Sequence, residues 1–178
     1  MTPAQVQATS AVMAISDAIM ATLQADPVLA GNAQASPVVP PLLALDPTPG
    51  APAGRVAVFK ATFNTGPPAY PCITYRVAMN VPVKAFEGPT SGLPAAPVDD
   101  IRIDFEVWSA TAGTVVPIAL GVLELHFRNA GISLPSGSIS GGPATVFRAV
   151  KLSQIDENFD QPQKKWFGLA SYLFRTQR

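Results

Sequence analysis

The stretch DDIRIDFEVWSATAG, residues 99–113, decides how the fold of this chain is predicted. Apolar and polar residues alternate through it. On one side lie Ile101, Ile103, Phe105 and Val107, and on the other lie Arg102, Asp104, Glu106 and Trp108. Successive side chains of a strand point to opposite faces, so this pattern predicts a strand with one buried face. The second face carries a cation, two carboxylates and an indole, and is either plain solvated surface or a surface that contacts something.

Other segments of the chain also have the composition of strands. RVAVFKATF (55–63) and CITYRVAMNVPV (72–83) precede the opening stretch in the sequence. VFRAVKLSQI (146–155) and KKWFGLASYLFRT (164–176) follow it, with residues 156–163 predicted as the turn between them. These runs are rich in β-branched and aromatic residues and are bounded by Gly, Pro, Asn and Asp. We therefore expect a sheet of about five strands.

Two further segments have helical patterns. The first begins with Thr2 as a cap and Pro3 at the first helical position, and is expected to end at Asp26-Pro27. The second, VVPIALGVLELHFRNAG (115–131), has Pro117 in its first turn and Asn129 to Gly131 as its C-cap. The order of elements predicts an α+β fold over residues 1–178, a single domain whose mainly antiparallel sheet carries both helices on one face.

Three segments rich in Pro, Gly or Ser predict long loops. Residues 30–54 contain six prolines and are expected to be extended rather than a packed element. Residues 84–98 form a Gly/Pro loop that leads into the opening stretch, and residues 134–144 form a flexible connection. Structureless loops of this length are usually functional or disordered.

The overall charge is balanced, because the 12 Lys and Arg residues equal the 12 Asp and Glu residues. A neutral chain has no general field that attracts nucleic acid or an anionic membrane. Charged residues make up only 13% of a chain that is 48% hydrophobic, so much apolar surface would be exposed unless a partner covers it. This composition favours an oligomer. The N-terminal helix lacks the cationic start of a signal peptide and is interrupted by polar residues, so we expect neither secretion nor a membrane span.

Residues that usually carry chemistry are few. Cys72 and His126 are the only cysteine and histidine, which excludes an intrachain disulfide and any site with several His ligands. Cys72 is interpreted as a small buried hydrophobe and His126 as a packed or solvated helix residue. Asp99, Asp100, Asp104 and Glu106, and likewise Asp156, Glu157 and Asp160 in the predicted turn, could bind a hard cation, but neither spacing matches a known calcium loop. A solvated strand face and a solvated turn are the favoured interpretations. No catalytic, cofactor-binding or metal-binding residue is assigned.

One local cluster combines cations with an aromatic ring. Lys164, Lys165 and Trp166 stand together at the start of the last predicted strand. Lysines on an edge strand discourage stray pairing with other chains, which is the favoured interpretation. The alternative is a contact with a partner, such as a phosphate group, although two cations and one ring are too few to argue nucleic-acid binding.

Four segments, taken in order, resemble the tail terminator or tail completion proteins of long-tailed, siphovirus-like phages. They are AIMATLQADPVLAG (18–31), YPCITYRV (70–77), IRIDFEVWSAT (101–111) and VFRAVKLSQIDENFDQPQKKWFGLASYLFRT (146–176). The resemblance spans most of the chain and consists of hydrophobic patterns with a few aromatic and Pro markers. The Pro-rich segment 30–54 and the loop 84–98 depart from the family pattern.

The resemblance implies a structural virion protein without catalysis or cofactor, located in the tail or neck and assembled in the host cytoplasm. Its partners would be copies of itself in a ring, expected to be a hexamer, the major tail tube protein, and the connector proteins of the neck. DNA would pass through the lumen without specific binding, and no membrane is involved. Arg102, Asp104, Glu106 and Trp108 become candidates for a subunit interface or for the lumen, and Phe86 and Leu93 for docking on the tube.

Two alternatives remain at this point. A head-tail joining or adaptor protein of the neck would share these properties without ending tube growth. A small α+β enzyme or ligand-binding module would instead use the Asp99 to Glu106 face or His126.

Overall fold

The structure, a computed structural model, describes residues 3–60, 69–83, 98–128 and 145–177. Its elements are α1 (Pro3–Ala25), β1 (Val58–Lys60), β2 (Cys72–Val83), β3 (Val98–Ser109), α2 (Val115–Phe127), β4 (Thr145–Asp160) and β5 (Lys165–Gln177). The predicted α+β class, with two helices and five strands, is confirmed.

The five strands form one sheet in the order β1-β2-β3-β5-β4. Only β1 and β2 run parallel, and every other neighbouring pair is antiparallel. The opening stretch of sequence becomes β3, the middle strand, which is hydrogen-bonded to β2 on one side and β5 on the other. Its position explains the strict alternation, because both of its edges are paired and one of its faces is covered.

Both helices pack on the same face of the sheet, as predicted. The main hydrophobic core joins Ile15, Ile19 and Leu23 of α1, and Leu120, Leu123 and Phe127 of α2, to Ile101, Ile103, Phe105 and Val107 of β3. The Tyr75 hydroxyl of β2 donates a hydrogen bond to the carbonyl oxygen of Ser16 at 2.9 Å, which ties α1 to the sheet. We call the other side of the sheet the open face.

Two of the predicted boundaries are wrong. The turn predicted at 156–163 lies at 161–164, so Asp156, Glu157 and Asp160 belong to β4. β4 is an edge strand with three register shifts against β5, and such bulges accommodate polar residues that sequence patterns assign to turns. The strand predicted at 55–63 starts later, since β1 begins at Val58 and Val56 forms an isolated bridge with Leu45; residues 61–63 lie outside the described residues.

The predicted loops are described only in part. Residues 30–54 contain no helix or strand, as expected, but Leu43 is buried in the main core, so the segment is packed at that point. The loop prediction at 84–98, with Phe86 and Leu93, lies outside the described residues except for Val98, which begins β3. The connection at 134–144 and the C-cap at 129–131 also lie outside them; α2 ends at Phe127.

Candidate functional site

The open face is built from alternate residues of neighbouring strands. Because directly paired residues of adjacent strands point to the same face, the register fixes which side chains join the four predicted on β3. From β2 these are Cys72, Thr74, Arg76, Met79 and Val81, and from β5 they are Phe167, Leu169, Ser171, Leu173 and Arg175. The face therefore carries aromatic residues at one end and ion pairs along the rest.

Trp108 lies at the aromatic end and is covered by the chain itself. Its side chain packs with Cys72 and Ala57, and its ring centroid is 5.4 Å from that of Phe167. Only 8% of the residue is exposed, so little of the ring is left for a neighbouring subunit to contact. Its indole Nε1 donates a hydrogen bond to the Glu106 carboxylate at 3.2 Å. Trp108 thus acts as a core residue in the isolated subunit.

Cys72 lies beneath this aromatic cluster. The thiol is fully buried, which confirms its interpretation as a small buried hydrophobe. Burial, and secondarily the nearby Glu106 carboxylate, raise its pKa from 9.0 to about 12. A thiol that stays protonated at neutral pH is a poor nucleophile.

Asp104 forms the centre of the charged part of the open face. It accepts hydrogen bonds from the Ser171 hydroxyl at 2.6 Å and from Arg102 Nε at 2.9 Å. Arg76 Nη2 lies 3.6 Å from its other carboxylate oxygen. Three strands, β2, β3 and β5, therefore converge on one carboxylate that is only 5% exposed. These two arginines and the hydroxyl donor compensate the negative charge of the buried carboxylate.

A second ion pair continues the row toward the end of β3. Arg175 binds Asp100 with two hydrogen bonds, from Nε and Nη2, both 2.7 Å long. These hydrogen bonds, and then the attraction of the carboxylate, raise the pKa of Arg175. This bidentate geometry is the preferred arrangement of a guanidinium with a carboxylate.

In the ion pairs of the open face, the carboxylates are more buried than the guanidinium groups that bind them. The Asp104 carboxylate lies underneath, whereas 60% of the Arg76 side chain and 41% of the Arg102 side chain are exposed. The same holds for the second pair, since Asp100 is less exposed than Arg175. Three guanidinium groups pair with two carboxylates, and the groups that a partner would meet first are the guanidinium groups.

Lys164, Lys165 and Trp166 do not form a joint site. Lys165 Nζ lies 4.7 Å from the centroid of the Tyr70 ring, while Trp166 packs with Phe159 and Lys164 lies in the turn. The proposed edge-strand role is wrong for these residues, because β5 lies between β3 and β4 and has no free edge. A partner contact by them stays a prediction.

His126 has a structural environment. Its Nε2 lies 2.8 Å from Oδ2 of Asp26, whose Oδ1 accepts hydrogen bonds from the backbone N–H groups of Val28 and Leu29. The pair links the end of α2 to the turn that follows α1. Within the ranges that the structure describes, no group of three or more His, Cys, Asp and Glu residues could hold a metal ion.

Sequence reasoning missed Arg76, Ser171 and Arg175 as partners on the open face, and it considered Asp100 as a possible cation ligand but not as the partner of Arg175. The alternation of residues in β2 and β5 indicates which of their side chains share a face. It does not indicate which residue of one strand pairs with which residue of the next. That register depends on how strands far apart in sequence pair. The assignment of Arg102, Asp104, Glu106 and Trp108 to a subunit interface or lumen stays a prediction.

Neither helix of the described chain is long and apolar enough to cross a membrane. A scan against family models finds no match, and a search of curated proteins finds no similar sequence.

Proposed function

We propose that this protein is a structural subunit of a phage tail that forms a ring, expected to be a hexamer, on the head-proximal end of the tail tube. The ring would stop polymerisation of the tube and provide the attachment surface for the head-tail connector. The observation that carries the proposal is the open face of the sheet, which has ion pairs with exposed guanidinium groups and is covered by neither of the two described helices.

Exposed apolar residues support assembly as well. Met79 and Val81 of β2 are each 43% exposed, and Ile155 of β4 is 48% exposed. All three lie on the open face by their register with β3 and β5. Apolar side chains between arginines are typical of surfaces that a protein partner covers.

The resemblance of four segments to tail terminator proteins supplies the specific role. A tube made of stacked rings keeps growing unless its end is covered by a ring with one tube-like face and one different face. The proposed partners are copies of this chain, the major tail tube protein and the neck proteins, with DNA passing through the lumen without specific binding.

Deleting the gene from its phage tests the role directly. Loss of a terminator gives tubes of unregulated, excessive length that do not attach to filled heads, and supplying the protein in trans restores normal tails. Electron microscopy of the lysate measures both. Tails of normal length that merely remain unattached would reject the terminator role in favour of head-tail joining.

The mass of the purified protein separates both neck roles from the alternative of a small enzyme. A ring, or assembly that increases with concentration, is expected for the tail protein. A monomer at every concentration would contradict the proposal.

A further inference from the structure

We infer that the open face of one subunit docks on the β4 edge of a second copy of this chain, with Arg76 and Arg102 opposite the acidic residues of β4. The inference rests on the proposed ring and names the two surfaces that would hold it together.

The basic surface consists of Arg76 and Arg102, which have guanidinium N–H groups that Asp104 and Ser171 do not use. The 3.6 Å separation of Arg76 Nη2 from Asp104 exceeds a normal hydrogen-bond length, so among the described residues this guanidinium makes no short hydrogen bond and keeps N–H groups for a partner. Arg102 uses Nε for Asp104 and Nη2 for a long 3.4 Å contact with Ser171. Because both side chains are substantially exposed, carboxylates of another molecule can reach them.

The acidic surface lies on β4, the strand at the edge of the sheet opposite β1. Asp156, Glu157 and Asp160 follow closely along the strand, and none forms an ion pair in the parts of the chain that the structure describes. Asp156 is exposed, and its carboxylate accepts a hydrogen bond from the uncharged Gln154 amide. Glu157 already accepts a hydrogen bond from the Gly113 N–H at 2.8 Å, and Asp160 accepts one from the Gln163 N–H and stands opposite Lys165 in the register with β5. Asp156 is therefore the carboxylate of β4 that best complements a surface whose cations lie outermost.

The two surfaces cannot satisfy each other within one subunit. β2 and β4 are separated by β3 and β5, which at the usual strand spacing is roughly 14 Å. Complementary patches on different sides of a molecule can pair head to tail between copies, and a head-to-tail contact gives a ring where the repeated rotation closes. β4 is also an edge strand whose register shifts disfavour simple strand-to-strand addition, so side chains would make the contact.

Charge reversal followed by mixing tests the pairing. Arg76→Glu makes both surfaces of a subunit acidic, and Asp156→Arg gives the second surface of another subunit a cation opposite Arg76. Each variant alone should dissociate at about tenfold or more higher concentration than the unchanged protein, measured by light scattering and sedimentation. An equimolar mixture should assemble again, because each acidic surface then meets a basic one.

Control variants distinguish loss of the proposed contact from misfolding and from a general effect of the changed net charge. Lys60→Glu and Asp17→Arg change exposed charges on β1 and α1 and should leave assembly unchanged. Arg76→Gln removes the cation without placing a carboxylate beside Asp104, so it should weaken assembly while circular dichroism stays that of the folded protein.

The outcomes are distinguishable. If the unchanged protein forms rings and Arg76→Glu, Arg76→Gln and Asp156→Arg all leave their stability unaltered, this inference is overturned and the proposed function stands. An unchanged protein that is monomeric throughout overturns both. If the Arg76 variants keep the ring but lose salt-dependent binding of duplex DNA, the face meets nucleic acid and not a second copy.

Discussion

At the scale of single residues, Ser171 and Asp104 make the tightest polar contact on the open face. The Ser171 hydroxyl is buried and donates to a carboxylate that is itself almost fully buried. We expect Ser171→Ala to lower the free energy of unfolding by about 2 kcal/mol, because the carboxylate loses a donor that water cannot replace. Urea denaturation measures the change.

Ser153 provides the matched control for Ser171. It stands directly opposite Ser171 in the β4–β5 register but is exposed. Ser153→Ala should change the stability by less than about 0.5 kcal/mol. Equal losses for the two serines would contradict the role of the buried hydroxyl.

Cys72 predicts how stability depends on alkaline pH. Its pKa is raised to about 12 in the folded protein against 9.0 for an unperturbed thiol. Between these values the folded protein keeps a proton that the unfolded chain releases, so stability is complete below pH 9 and falls as the pH rises toward 12. One such group contributes a slope of at most about 1.4 kcal/mol per pH unit.

Denaturation of the unchanged protein and of Cys72→Ala at several pH values from 8 upward measures the effect. The quantity compared is the slope of the free energy of unfolding against pH, and not the absolute stability. The substituted protein should lose less stability per pH unit, by about the slope of one group. Identical slopes would show that the thiol is not desolvated in the folded state.

At the scale of elements, the contact of α2 with β5 depends on Gly168. A Cβ atom there would lie 2.6 Å from Val116 Cγ1 and 2.9 Å from Leu120 Cδ1. Gly168→Ala should therefore push α2 away from the sheet and destabilise the protein by about 1–3 kcal/mol. Gly121 in α2 has open space around its Cα, so Gly121→Ala should stabilise by about 1 kcal/mol through helix propensity.

Thermal and urea unfolding of both glycine variants test this pair of predictions. Opposite signs are expected, and a loss of stability for both would mean that helix packing does not distinguish the two positions.

Asp26 joins the ends of the two helices. It accepts two backbone hydrogen bonds in the turn after α1 and contacts His126 at the end of α2. Asp26→Ala should lower the free energy of unfolding by about 2 kcal/mol, since two buried or partly buried N–H groups lose their acceptor. The exposed Asp17 of α1 is the control, and Asp17→Ala should have little effect. Similar denaturation midpoints for both variants would contradict the link.

At the scale of the whole molecule, the ring predicts that stability depends on protein concentration. Assembly stabilises only the folded state, so the melting temperature should rise as the concentration is increased. Arg76→Gln, which places no carboxylate beside Asp104, should reduce this dependence while its melting temperature at high dilution stays near that of the unchanged protein at high dilution. Calorimetry over a hundredfold concentration range measures it, and a constant melting temperature for the unchanged protein would oppose assembly.

The sequence by itself determined the elements. The alternation of Ile101 to Trp108 predicted β3 and its buried face, Pro3 and Asp26-Pro27 marked both ends of α1, and the order of the segments predicted the α+β class. These signals are local, because strand and helix periods and proline geometry act over a few residues. The turn at 161–164 was misplaced because an edge strand with bulges resembles a polar turn in sequence.

Only the tertiary structure decided the character of the open face. Pairing between strands distant in sequence brought Arg76 and Ser171 next to Asp104. Ala57, about fifty residues before Trp108 in the sequence, packs in the same cluster as its ring. Period-two alternation states that Trp108 and Asp104 share a face, but not what lies over them. Register and cover arise from contacts between segments distant in sequence, whose free energies depend on the whole packed sheet and not on any local pattern.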